Sequence, residues 1–341
     1  MKPPKITDLD LVERLKLEDE FFARPFLMSY SGLSKLHYSP GAFYLHYVLK
    51  QREDIVDKAM AEGSLVHCML LTPEKFNDQF VVLPDSFPSD NPKRVIERLK
   101  NHLVESYPEI TDTKETILPY LENVQNAVID ILADENLYQS LKTDVQRLDK
   151  ILTEKNMEYL EFLLQSKDKM VVEKPMVEFA QKIREQIMAN ENIRALMGFN
   201  ESDKIKSFNE FTVTAFPDQY GFGLKGIIDN LVIDHQAKII RVNDLKKTSK
   251  AANVFHQSIE YHNYWMQAAI YNMIIHDIKK TAFGVDYPVE FRFIVVDPYL
   301  HVVPFVVSEP TMNKYMEMTM DYLQIANHHF NTKDFSGPYE L

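Results

Sequence analysis

Residues Gly221 to Thr248 read GFGLKGIIDNLVIDHQAKIIRVNDLKKT. Two β-rich runs, Leu224 to Ile233 and Ile239 to Leu245, flank the polar triplet Asp234, His235 and Gln236. Apolar runs rich in branched residues, joined by a short polar turn, predict an antiparallel hairpin. Each arm interrupts its apolar residues with one aspartate, Asp229 and Asp244. Side chains alternate along a strand, so Asp244 and Lys246 project to one face. A register that sets Asp229 opposite Asp244 gathers two carboxylates and one ammonium in a single cluster.

Like charges directly opposite on a sheet destabilise it, and a divalent cation is the natural compensation. Two carboxylates with waters and phosphate oxygens suit Mg²⁺. A lysine beside them would orient a metal-activated water or stabilise charge developing on a phosphate. The hairpin alone leaves a second reading open, in which both aspartates are solvated on an exposed strand face.

The rest of the chain bears on that choice. Gly226 to Asp229, followed on the next arm by Asp244, Leu245 and Lys246, resembles the D…(D/E)xK signature of the PD-(D/E)xK nuclease superfamily. Taken with Tyr264 and Gln267 to Tyr271, the hairpin is most similar to RecE-type exonucleases (exonuclease VIII) and the phage alkaline exonucleases. Upstream, Tyr30 to Ser34, then Ser39 and Pro40, then Gly63 to His67, match that family's motifs in the same order. The similarity therefore runs from about Ser31 to about Tyr271. The short D…DxK pattern is weak by itself; the ordered set is fairly specific.

The resemblance implies an α/β fold, a restriction-endonuclease-like core with a central mixed β-sheet flanked by helices, here carrying a helical insertion. It implies Mg²⁺, with Mn²⁺ as a substitute, held by Asp229 and Asp244 with His67 and the Leu245 carbonyl as added ligands. Lys246 would position or help deprotonate the attacking water. Gln267, Tyr271, Ser31, Ser34 and Lys247 are expected to contact DNA or to support the ligands. The implied substrate is the end of double-stranded DNA, degraded 5′ to 3′ to leave a 3′ strand for an annealing protein. A ring-shaped homo-oligomer is also implied. The sequence departs from the commonest pattern at Lys247, where a threonine is usual, and at Asp244, where many relatives carry glutamate. Two rivals stand beside this reading. One is an endonuclease, or a nuclease subunit of a repair complex. The other is an inactive nuclease fold serving as a DNA-binding or assembly module.

Composition narrows the field further. The chain has 341 residues, 45% hydrophobic and 26% charged, which is ordinary for a globular protein with a large core. Net charge is −12, from 38 Lys plus Arg against 50 Asp plus Glu. That balance argues against a protein that simply coats nucleic acid, because phosphate contacts need cations. Arg241, Lys246, Lys247, Lys250 and Lys225 nevertheless cluster around the hairpin. The single cysteine, Cys68, excludes an internal disulfide framework and a four-cysteine iron–sulfur cluster. Met1 to Glu20 is charged and lacks an apolar core, so no secretory leader is expected. No apolar run approaches a membrane span, and the expected location is the cytoplasm. There is no GxxxxGK[ST] loop, hence no expectation of a nucleotide cofactor.

Along the chain, residues 1–92 are expected to form N-terminal helices belonging to the nuclease core. A short helix begins near Leu9, a second is capped by Ser31, a third starts at Pro40, and Ala59 to Leu71 carries Gly63 and His67 on one face. A lone histidine on an apolar helix is ordinarily a hydrogen-bonded core residue; the family motif makes His67 a ligand instead. Residues 93–200 read as a helical insertion, with apolar residues at helical spacing over Ile117 to Leu132, Leu148 to Leu164 and Val177 to Met197. Lys93, Arg94, Arg98 and Lys100 there suit a solvated face better than a DNA contact. Residues 201–341 hold the catalytic sheet. Phe208 to Phe216 alternates as a strand whose Glu210 is either a further carboxylate for the metal or a strand-edge charge. A helix is expected from Phe255 to Lys279, strands over Glu290 to Val296 and His301 to Val307, then a closing helix from Pro310 to Phe330 and a loose end.

Overall fold

The structure, a computed structural model, describes residues 11–51, 58–107, 118–200 and 202–335. The expected loose C-terminal end lies outside the described residues, as do residues 1–10. Contacts divide the chain into two units, Met1–Asp57 with Leu70–Thr72 and Lys182–Leu341, and Lys58–Met69 with Pro73–Gln181.

The first unit opens with α1 (Leu11–Phe22), β1 (Leu27–Met28), α2 (Tyr30–Tyr38) and α3 (Pro40–Phe43), which runs on into a π-helical turn, Tyr44–Val48. The chain then enters α4 (Lys58–Leu71). The second unit contains α5 (Phe76–Gln79), β2 (Phe80–Val82), α6 (Asp90–Ser106), α7 (Leu121–Asp134), α8 (Asp144–Ile151), α9 (Glu154–Gln165), β3 (Met170–Val172) and the start of α10 (Lys174–Ala189). Its own core sets Val95, Leu99 and Leu103 of α6 against Val128 and Leu132 of α7 and Leu160 of α9. Strands β2 and β3 pair in parallel. Arg94 and Arg98 are ion-paired with Glu135 and Asp134 of the same unit.

The first unit resumes with α11 (Glu191–Leu196), β4 (Ile205–Ala215), β5 (Gly223–Asp234), β6 (Ile239–Lys247), α12 (Phe255–Tyr261), α13 (Tyr264–Phe283), β7 (Val289–Val296), β8 (Val302–Val306) and α14 (Glu309–Thr332). Six strands make one mixed sheet in the order β1-β5-β6-β7-β8, with β4 paired to β5. Pairs β1–β5 and β6–β7 are parallel and the rest antiparallel. A parallel pair needs a crossover connection, and α12 with α13 supplies it between β6 and β7. The expected hairpin is β5–β6. It pairs from Asp234 opposite Ile239 to Asn230 opposite Asn243.

One sheet face packs on α13 and α14. Ile228, Leu231, Ile240, Val242 and Phe293 meet Met266, Ile270 and Ile274 of α13 and Leu323 and Ala326 of α14. Helix α13 is buried over most of its length, as a helix that is apolar nearly all round must be.

The local details differ from the sequence expectation in several places. Ser29, not Ser31, caps α2: its backbone is extended and its hydroxyl accepts the Gly32 amide at 3.1 Å. The helix expected over Phe255 to Lys279 is two helices, broken at His262 and Asn263, because Asn263 takes a left-handed conformation (φ 55°). Leu148 to Leu164 likewise divides where the Thr153 hydroxyl caps a new helix, and Val177 to Met197 where Asn190 does. The two-residue β1 and three-residue β2 and β3 are too short to show a period. No helix among the described residues is long and apolar enough to cross a membrane.

Candidate active site

The site lies where two strands lose step. On β4 the core-facing residues are Phe208, Phe211, Val213 and Ala215; on β5 they are Leu224, Ile228 and Leu231. The ordinary step is two, but each strand takes one step of three, from 208 to 211 and from 228 to 231. The slip spans Asn209–Glu210 on one strand and Asp229–Asn230 on the other. Pairing runs Asn209 with Asn230, then Phe211 with Ile228, and passes over Glu210 and Asp229. Glu210 sits at φ 50°, a left-handed conformation that costs about 1–2 kcal/mol for a residue with a Cβ. Strain of this kind gathers at functional positions.

The β5–β6 ladder ends at the same level. Asn230 pairs with Asn243, and beyond them the arms part. The next residue on each arm is Asp229 and Asp244. The Leu245 amide donates to Asp229 Oδ2 at 2.7 Å, so a carboxylate takes the place of a strand partner. A carboxylate oxygen of Glu210 lies within 4.8 Å of one of Asp229. Asp229 is 8% exposed and Asp244 fully buried.

Asp244 and Lys246 share a face as their spacing requires. The Lys246 Nζ stands 2.5 Å from Asp244 Oδ2 in an ion pair. Among the described residues Asp244 Oδ1 is buried with no hydrogen-bond partner, and Oδ2 has only the Lys246 ion pair. Burial disfavours the Lys246 ammonium, but the Asp244 and Asp229 carboxylates outweigh it, and the lysine pKa is raised. The ammonium also rests 4.7 Å above the Tyr264 ring, a cation–π contact. Buried carboxylate oxygens, one of them unsatisfied, form a hard oxygen donor set that fits a divalent cation such as Mg²⁺.

Helix α13 closes one side. Gln267 Nε2 donates to Tyr271 Oη at 3.1 Å, and Tyr271 Oη donates to the Ile227 carbonyl at 2.8 Å. A Cβ at Gly226 would run into the Tyr271 ring, so glycine there is what lets α13 approach β5. Burial raises the Tyr271 pKa, and the Asp244 charge adds to it. The Gln267 side-chain oxygen is buried without a hydrogen-bond partner among the described residues.

The opposite sheet face carries an amide ladder that the sequence reading missed. Asn243 Nδ2 donates to Asn230 Oδ1 at 2.7 Å and to the Leu196 carbonyl at 3.2 Å. Asn230 Nδ2 donates to Asn209 Oδ1 and to Ser207 Oγ, each at 2.9 Å, and reaches the Met197 carbonyl at 3.1 Å. Asn230 and Asn243 are the immediate neighbours of Asp229 and Asp244, so this network fixes the backbone beneath both carboxylates. The pairs Asp-Asn and Asn-Asp on facing arms were the available signal. Asn209 Nδ2 also donates to the Leu71 carbonyl at 3.0 Å, a bond within the first unit. His67 stands on α4, in the second unit.

Ser31 and Ser34 line a pocket of about 600 Å³ together with Tyr30, Lys35 and His262. Tyr30 Oη donates to the His262 carbonyl. Burial, with the Tyr264 hydroxyl next, pushes the Tyr30 pKa up to about 12. Burial lowers that of His262, and the Lys246 charge lowers it further. Tyr30, His262 and Tyr264 thus lie around the lysine; the motifs marked Tyr30 and Tyr264 in the sequence, and His262 was missed. Lys247 follows on β6, half-buried, and Lys250 Nζ is engaged by Gln257 at 3.3 Å.

The family model described as the PD-(D/E)XK nuclease superfamily matches residues 27–296, from the start of β1 to the end of β7. Among solved structures, the chain is similar to a candidate exonuclease from Eubacterium rectale at 12% identity and a TM-score of 0.44. That match covers 97% of this chain and 87% of the other. It is also similar to the protein SSO0001 at 14% identity and a TM-score of 0.26, over 43% of this chain and 67% of that one. No curated protein matches the chain.

Proposed function

The chain belongs to the PD-(D/E)XK nuclease superfamily, and within it we propose that the protein is a metal-dependent exodeoxyribonuclease that hydrolyses duplex DNA from an end, 5′ to 3′, in recombination or repair. The observation that carries the reading is the parted end of the β5–β6 hairpin. There Asp229 and Asp244 stand beside Lys246, and a buried Asp244 oxygen lacks a hydrogen bond.

Asp229, Asp244 and the Leu245 carbonyl would hold Mg²⁺ or Mn²⁺, with His67 entering from its motif and Glu210 from its place beside Asp229. When bound, the ion supplies Lewis-acid polarisation of the phosphate and a water of lowered pKa. The chain's own part is positional. Lys246, kept charged by its carboxylates, orients the attacking water and offsets negative charge that builds on the phosphate. Tyr271, with Gln267 hydrogen-bonded to it, holds the Ile227 carbonyl and so fixes β5 next to Asp229. The amide ladder through Asn209, Asn230 and Asn243 keeps the two aspartates from drifting apart. Lys247 is proposed as a phosphate contact and Ser31 and Ser34 as contacts to the DNA end. A single-strand annealing protein and a homo-oligomeric assembly are the proposed partners.

Digestion of linear and closed circular duplex DNA, with and without Mg²⁺, tests this. Loss of linear DNA only, dependent on Mg²⁺ and abolished by Lys246→Ala, is expected. Cutting of circles would instead make the protein an endonuclease. Folded protein that binds DNA but cuts nothing in Mg²⁺ or Mn²⁺ would make it an inactive module.

A further inference from the structure

The pocket that Ser31 and Ser34 line has a wall that only the broken helix creates. A continuous helix from Phe255 onward would carry Tyr261 and His262 along its barrel. The left-handed Asn263 ends α12 instead, and Tyr30 Oη holds the His262 carbonyl at the break. Tyr261 is left 83% exposed on the pocket rim. Tyr38, the last residue of α2, lines the same pocket and is 87% exposed. Among the described residues neither ring packs against the core, and both faces are open to a ligand.

Tyr261 is connected to the catalytic lysine, and Tyr38 faces the same pocket. The rings of Tyr261 and His262 meet edge to face at 4.8 Å, and His262 stacks on Tyr264 at 5.1 Å and 27°. Tyr264 lies beneath the Lys246 ammonium at 4.7 Å. A run of rings therefore leads from the pocket rim to the reacting centre. The volume, about 600 Å³, falls within the ~300–1,000 Å³ of small-molecule seats. Exposed aromatic faces beside a phosphate-handling site are what single-stranded nucleic acid stacks upon, largely without regard to sequence.

We propose that this pocket seats one unstacked nucleobase of the strand being cut, stacked on Tyr38 and Tyr261, beside the phosphate held at Asp229 and Asp244. The inference rests on the nuclease reading above and adds to it how the strand is gripped. The enzyme would separate the terminal base from its partner before the bond is broken. Ends that are frayed or already single-stranded would then be preferred over blunt, G·C-rich ends.

The test uses the full chain carrying Lys246→Ala in metal-free buffer, where the slowed chemistry leaves the DNA intact during the measurement. Its ligand is a linear duplex with 2-aminopurine placed in turn at each of the terminal nucleotides. One position is expected to lose fluorescence on binding as its base stacks on tyrosine. Adding Tyr38→Ala or Tyr261→Ala should restore that fluorescence and weaken binding about 5- to 150-fold, while Tyr→Phe at either position should not. An abasic nucleotide at the same position should erase the difference between tyrosine and alanine, which a purely structural role would not do. Affinities within twofold and unchanged quenching in both alanine variants would overturn the proposal, as would absence of DNA binding. Cleavage by the parent protein is measured separately. If that protein cuts nothing, the activity reading fails while the stacking result stands or falls by itself.

Discussion

The two ends of one hairpin hold two buried carboxylates of opposite character. At the turn end, Asp234 is satisfied on every side. Its Oδ1 accepts the Gln236 and Ala237 amides at 3.0 and 2.8 Å, and its Oδ2 accepts Arg241 at 2.9 Å. At the parted end, Asp244 is more deeply buried, yet it has one ion pair and an oxygen with no hydrogen bond. Asp229 acts on the same lysine, and Glu210 lies beside Asp229. Both ends share strands, burial and residue types. Only one is arranged for stability. An unsatisfied buried carboxylate oxygen costs free energy, and a protein keeps it where something else is to be bound.

The sharpest way to break that contrast is at the turn. Asp234→Ala leaves Arg241 buried without its partner and two amides without an acceptor. Breaking one side of a buried pair costs about 3–5 kcal/mol, so chemical denaturation should show a loss of that size. Activity per folded molecule should be unchanged, because Asp234 touches nothing at the site. The effect should also follow pH. Burial opposes the Asp234 charge, but the Ala237 amide and Arg241 together hold its pKa below the ordinary value. Its stabilisation is thus complete above the unfolded carboxyl pKa of about 3.9 and fades as pH falls through the lower folded value. The gap between the parent and Asp234→Asn should be widest above about pH 5 and should close in acid. A gap that widened in acid would contradict the pairing.

At the other end the loss should appear in rate. Lys246→Ala is expected to lower kcat on linear duplex DNA about 10²–10³-fold, or roughly 2.7–4 kcal/mol, typical for removing one preorganised stabilising donor. A variant retaining more than a tenth of the parent rate would place the chemistry elsewhere.

Binding should reveal the same asymmetry without any catalysis. A ligand of the native state stabilises by about 2.7 kcal/mol at a hundred times its Kd. Saturating Mg²⁺ should therefore raise the thermal midpoint of the parent protein and of Asp234→Asn by similar amounts. Asp244→Asn should respond little, since its neutral amide gives up an anionic ligand. Equal shifts in all three proteins would mean that the ion binds at another place.

How much of this was legible depended on the range of the order involved. The hairpin bounds, Leu224 to Ile233 and Ile239 to Leu245, lie within two residues of β5 and β6, because buried apolar runs rich in branched residues around a polar turn mark strands even where the period of two is broken. The shared face of Asp244 and Lys246 follows from the same period. The break at His262 and Asn263 left no such mark, because no glycine or proline interrupts the apolar pattern there. Asn209, Asn230 and Asn243 sit on three strands and become a ladder only once the register is set. The placement of Glu210 was undecidable from alternation alone, since the alternation itself fails at that residue.

That failure yields the smallest and most discriminating test. Glu210 is held at φ 50° in the middle of a strand, where a residue with a Cβ bears about 1–2 kcal/mol of strain. Glycine adopts that conformation without penalty, and Glu210→Gly would also remove a carboxylate from beside Asp229. Glycine's added freedom in the unfolded chain offsets part of the gain, so the net stabilisation should be about 1 kcal/mol. If Glu210 serves the metal, Mg²⁺ should bind more weakly to this more stable protein. If Glu210 is only a strand-edge charge, stability should rise with Mg²⁺ binding unchanged. A protein that became less stable would show that the neighbours of Glu210 compensate the strained backbone, and the parted end of the hairpin would then resemble its turn more closely than the geometry of Asp244 implies.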